Sequence, residues 1–151
     1  MKIQFDILSK TRAIVLHYIS GLSLDQMHVI PEGFNNHIAW NIAHLVVTQQ
    51  LLHYKLSGND CLVSDDLIMA YKKGTKPSNA FSQEEFDEVI TLFKGLPKTL
   101  EEDYESSIFS EYDSYKTSTG FVIDTMEKAI IFNNFHESLH LGVIMSLRKL
   151  V

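Results

Sequence analysis

Apolar residues recur at helical spacing along four stretches of this chain. In residues 2–19 the series Ile7/Leu8, Thr11, Ile14/Val15 and Tyr18/Ile19, continued by Leu22, advances in steps of three and four, with Lys10 and Arg12 turned elsewhere. Gly21 and then Pro31-Glu32-Gly33 break that first helix from the next. The second starts at Asn35 or Asn36, either a good N-cap, and extends to about Leu56, where Ser57-Gly58-Asn59-Asp60 stops it. It is apolar around most of its circumference, including Ile38, Trp40, Ile42, Leu45, Val46 and Leu52, as expected of a buried helix.

A loop of roughly 25 residues follows, long enough to carry function or to cross the length of a bundle. Ser82 and Glu85 form a capping box for the third helix, whose inner face is Phe86, Val89/Ile90, Phe93, Leu96 and Leu100. Pro97 predicts a kink there, because its ring clashes with the preceding turn and one amide hydrogen is missing. Residues 101–120 read as mostly loop, and 115–122 is the one stretch with a hint of extended pattern. The fourth helix spans about 124–149, with Asp124 and Glu127 as its capping box and Ala129, Phe132, His136, His140, Val143 and Leu147 on one stripe. Residues 1–151 therefore read as one all-α domain, a four-helix bundle with a long crossover connection, an architecture that hosts metal sites between facing helices.

Composition narrows the class. The chain has 151 residues, of which 45% are hydrophobic, enough for one substantial core. No apolar run approaches the length of a membrane span, and the opening Met1-Lys2-Ile3-Gln4-Phe5-Asp6 lacks the apolar stretch of a secretory signal. The single cysteine, Cys61, has no internal disulfide partner, which fits a reducing, cytoplasmic setting. A formal charge of −6 without a Lys/Arg cluster gives no surface for nucleic acid, whose binding rests on cations displacing counterions.

The chemistry-bearing pattern is His136-Glu137-Ser138-Leu139-His140. Four helical positions advance about 400°, so both imidazoles leave one face about 40° apart and one turn from each other, a spacing that suits one divalent ion. The spelling is that of a zincin protease, but a zincin takes its third ligand downstream. Here Leu141 through Val151 contain no His, Asp, Glu or Cys. A metal site would be completed from upstream. His53 lies about 180° round its helix from His44, so the two cannot share a site. His28 sits in a connection, where it is not expected to be held firmly, and His17 ends the first helix. His44 lies in Ile42-Ala43-His44-Leu45-Val46 at the middle of the buried helix, where both ring nitrogens need partners. From the residues alone, His44 reads either as the third ligand or as a satisfied core histidine.

Two longer passages carry a family resemblance. Gly33-Phe34-Asn35-Asn36-His37-Ile38-Ala39-Trp40-Asn41-Ile42-Ala43-His44 and Phe132-Asn133-Asn134-Phe135-His136-Glu137-Ser138-Leu139-His140-Leu141-Gly142 resemble the DinB-like superfamily, which includes the YfiT-like metal-dependent proteins. The likeness extends over essentially the whole chain. It implies an up-down-down-up four-helix bundle with a divalent metal on three histidines, which fall on His44, His136 and His140. It also implies a class of activity, since characterised relatives include transferases and isomerases that use a low-molecular-weight thiol such as bacillithiol or mycothiol. One departure is visible: a His-His doublet often closes the fourth-helix motif, and here the pair is Leu139-His140.

Three histidines and an open position make a catalytic rather than a structural metal site, with Zn²⁺ the first choice and Ni²⁺ or Fe²⁺ compatible with imidazole. Glu137, about 60° round the helix from His140, is the candidate catalytic base or, more blandly, an interhelical carboxylate. Trp40, Asn133 and His37 are candidate cofactor- or substrate-binding residues, each with a core or surface alternative. The resulting expectation is a metal-dependent thiol S-transferase acting on a small molecule. The alternatives are a hydrolase in which the metal activates water and a non-catalytic metal- or ligand-binding bundle. A homodimer is expected as well, since family members often pair and Leu62, Leu67, Ile68, Met69 and Tyr71 of the long loop offer apolar surface.

Overall fold

In the computed structural model, which describes residues 1–151, the elements in chain order are α1 (Lys2–Ile19), α2 (Leu24–Met27), α3 (Ile38–His53), α4 (Asp65–Tyr71), α5 (Gln83–Glu105), β1 (Tyr115–Lys116), β2 (Val122–Ile123) and α6 (Met126–Leu147). The four long helices are those the apolar periodicity predicts. Ser82 and Glu85 form the expected capping box on α5.

Elsewhere the ends differ from expectation. His37, not an asparagine, caps α3: its Nδ1 accepts from the Trp40 amide at 2.9 Å. Thr125 caps α6, accepting from the Lys128 amide, while Asp124 forms an ion pair with Lys128 Nζ at 2.6 Å. The long crossover contains α4, capped by Ser64, and residues 115–123 close into a short antiparallel hairpin pairing Tyr115 with Ile123. Of the crossover's apolar residues, Leu67 and Tyr71 pack against the core, whereas Leu62 and Met69 stay exposed.

Helix direction can be read from the two halves of the core. One half joins Val15 and Ile19 at the end of α1, Ile38 and Ile42 at the start of α3, Phe86 near the start of α5, and Ile144 and Leu147 at the end of α6. The other joins Phe5 and Leu8, Leu52, Leu100, and Ala129 and Ile130. Thus α1 and α6 run one way and α3 and α5 the other, which is up-down-down-up. Each of α1 and α3 packs against both α5 and α6, so α1 and α3 lie on a diagonal.

Between the two apolar halves lies a dry polar layer. The side chains of Arg12 and Glu137 are 2% and 0% exposed and meet through Nη2 to Oε1 at 2.7 Å, with Nε reaching both carboxylate oxygens at 3.1 Å. Arg12 Nη2 also donates to Gln49 Oε1, Gln49 Nε2 to the Leu96 carbonyl, and Asn133 Nδ2 to Glu137 Oε1. Arg12 Nη1 donates to the Phe93 carbonyl at 2.9 Å. That carbonyl is the acceptor Pro97 cannot use, since a helical residue donates four positions back and proline has no amide hydrogen. Arg12 fills the gap, and α5 continues through Pro97 to Glu105. Arg12 is therefore inward-facing, contrary to its reading as an outward residue: it lies four positions after Leu8 and three before Val15, both fully buried.

Removing one member of a buried pair leaves the other charge uncompensated, at a cost of about 3–5 kcal/mol. Arg12→Met should destabilise the protein by that order in urea denaturation, and adding Glu137→Met should recover much of the loss.

Candidate metal centre

His44 projects from the middle of α3, and His136 and His140 from successive turns of α6, across the face where those helices pack. One nitrogen of each ring belongs to a group whose members all lie within 4.8 Å of one another. The ring centroids are 5.2 Å apart for His44 and His136, 5.0 Å for His44 and His140, and 4.5 Å for His136 and His140.

Outer hydrogen bonds set two of the tautomers. His44 Nδ1 is 2.7 Å from the carbonyl oxygen of Tyr71, which can only accept, so Nδ1 carries the proton and Nε2 the lone pair. Thr48 Oγ1 lies 3.3 Å from that Nε2. His140 Nδ1 is 2.7 Å from Asn41 Oδ1, and Asn41 Nδ2 in turn donates to the His37 carbonyl at 2.8 Å, which fixes which end of the amide faces the ring. His136 is held by packing: Phe132 stacks near it, and its buried Nδ1 has no hydrogen-bond partner. Trp40 lies flat behind His44, with centroids 4.7 Å apart and planes 10° from parallel.

Burial holds all three rings in the neutral form a metal needs. It lowers His136 to about 3 and His140 to about 4, with repulsion from neighbouring imidazoles adding to both, and it lowers His44 as well. Neutral imidazoles, tautomers set by outer acceptors and one buried, unpartnered nitrogen fit a divalent cation.

The three rings form part of the wall of a cavity of about 480 Å³. Leu51, Leu52, Leu56, Phe132, Phe135 and Leu139 make it apolar, Thr48, Tyr115 and the hairpin's Thr117, Ser118 and Thr119 add hydroxyls, and Lys55 and Lys73 complete it. The other predicted site residues lie elsewhere. Glu137 and Asn133 belong to the Arg12 layer, outside both the three-histidine group and the cavity wall. A carboxylate clasped by a guanidinium on the bundle axis is the interhelical alternative for Glu137. His37 caps α3, with its ring edge-on to His28 at 4.9 Å, and Trp40 backs His44 without reaching the wall. His28, expected to be loosely held, accepts from the Phe81 amide at 3.1 Å.

The sequence reading also passed over Tyr71, Lys55, Lys73 and the hairpin hydroxyls. Tyr71 acts through its backbone carbonyl, which leaves no mark in a sequence. Asn41 was visible one turn before His44 but not as the partner of His140.

The sequence matches the family model described as the DinB superfamily over residues 7–144. The chain belongs to the DinB superfamily. No curated protein matches it. For this DinB-superfamily protein, the ligand set implied by resemblance and the histidine group formed by the fold are the same three residues.

Alanine at His44, His136 or His140 should lower bound divalent metal sharply by elemental analysis, whereas His17→Ala and His28→Ala should leave it unchanged. The metal-free protein should also lose stability as pH falls from 6.5 towards 4. Its buried histidines, including His53 at about 4, have folded pKa values below the unfolded value, so the unfolded chain takes up protons first. The slope is up to about 1.4 kcal/mol per pH unit for each such histidine. Urea midpoints at pH 7 and pH 5 measure it, and equal midpoints would contradict it.

Proposed function

We propose that this protein is a divalent-metal-dependent enzyme acting on small molecules, and specifically a transferase that uses a low-molecular-weight thiol. One observation carries this reading: the three neutral imidazoles converge on a cavity whose wall contains no carboxylate and no cysteine. The chain thus brings neither a carboxylate base nor a thiol nucleophile of its own to the cavity. Glu137 is committed to Arg12, and Cys61, with its thiol pKa raised by burial, lies outside the wall. A thiol nucleophile for this site would arrive with a substrate.

His44, His136 and His140 would hold the ion, with Zn²⁺ preferred and Ni²⁺ or Fe²⁺ compatible. When bound, a divalent ion there supplies a Lewis acid that favours the anionic form of a thiol at neutral pH. The protein's residues do the rest. Tyr71 and Asn41 keep the lone pairs of His44 and His140 directed inward, Trp40 and Phe132 hold the rings in place, and the leucine and phenylalanine wall limits water. In the overall transfer the thiol proton passes to solvent and sulfur forms a bond to an electrophilic carbon. The leaving group departs with the electron pair of the bond that breaks.

The Co²⁺-loaded protein should develop a thiolate-to-metal charge-transfer band in the near ultraviolet when small thiols are added, and His44→Ala should not. If no thiol produces a band while the loaded protein hydrolyses esters or amides, the hydrolase reading replaces this one. Absence of both leaves a metal- or ligand-binding bundle.

A further inference from the structure

The charge of the cavity wall is opposite to that of the protein. The chain carries 19 Asp and Glu against 13 Lys and Arg, yet the wall includes two lysines and no acid. Lys55 enters from the 3-10 turn after α3, and Lys73 from the crossover two residues beyond Tyr71. Two separate segments thus each contribute a lysine to the wall of one concavity. Neither ammonium forms an ion pair with a carboxylate of the chain. Much of the remaining lining is apolar, with Phe135 and Leu139 themselves half exposed. The volume of about 480 Å³ suits a small organic ligand.

We infer that the substrate of this site is an amphipathic anion: an apolar body against Leu51, Phe132, Phe135 and Leu139, with a carboxylate or phosphate met by Lys55 and Lys73. This rests on the proposal that the three histidines hold a metal in the same cavity. The lysines confer selectivity rather than chemistry. An anion compensates the charge of both lysines, whereas a ligand with a neutral end compensates neither.

The test uses Zn²⁺-loaded protein and calorimetry with four probes sharing one alkyl body: octanoate, octanol, 8-mercaptooctanoate and 8-mercaptooctanol. Each carboxylate should bind about tenfold tighter than its alcohol at low ionic strength, with the gap narrowing in added salt. In Lys55→Gln/Lys73→Gln the gap should close while affinity for the alcohols stays the same, which separates lysine recognition from direct binding of carboxylate to zinc. Circular dichroism and retained zinc verify that the variant is folded. Octyl phosphate against octanoate tells which anion is preferred. A carboxylate preference that is absent, or that survives the double substitution, overturns the inference, as does failure of both carboxylates to bind. A thiol advantage that is absent while the lysine-dependent gap persists counts against the thiol reading alone.

Discussion

The ion pair between Arg12 and Glu137 sets the rotation of α6, and the three-histidine group depends on that rotation. A helix turns about 100° per residue, so with Glu137 directed at the bundle axis, His136 lies about 100° to one side and His140 about 60° to the same side. Both rings therefore face α3. Arg12 ties the same layer to α3 through Gln49 and to α5 through the Phe93 carbonyl, so one guanidinium registers all four long helices. Apolar packing alone would specify this less well, because α6 is apolar on much of its outer surface too, with Ile131, Phe135 and Leu139 about half exposed.

Much of this was legible in the sequence, and the part that was not has a physical pattern. Period-3.6 signals gave the four long helices, and the local chemistry of Ser82 and Glu85 gave the start of α5. The i, i+4 pair in α6 and the lone histidine amid apolar residues of α3 were visible because helical spacing is short-range. Arg12 was misread because a charged residue on an inward stripe is indistinguishable from one at its margin until its partner, 125 positions away, is known. The donor that takes up the acceptor left free by Pro97 is likewise illegible locally, because it comes from another helix.

The cavity shows the same division. Its metal-facing part comes from regular helices and could be foreseen. Lys55, Lys73 and Thr117–Thr119 come from a 3-10 turn, a crossover and a hairpin, segments without a period to announce them. Helical positions determine what the centre can hold, and irregular segments determine what may approach it. At Leu139 a half-exposed leucine extends the apolar wall beside His140.

The carbonyl of Tyr71 has a thermodynamic consequence. It is in the last residue of α4, a seven-residue helix with no fully buried side chain, so little apolar burial opposes its detachment from the bundle. Yet that carbonyl holds the proton of His44 Nδ1 and thereby keeps the lone pair on the nitrogen facing the other two rings. Local unfolding of α4 and ligation at His44 are therefore linked functions. Whatever binds through that lone pair must favour the closed crossover by the same free energy with which the closed crossover favours binding. A short helix without a fully buried side chain is in this way tied to the three-histidine cluster.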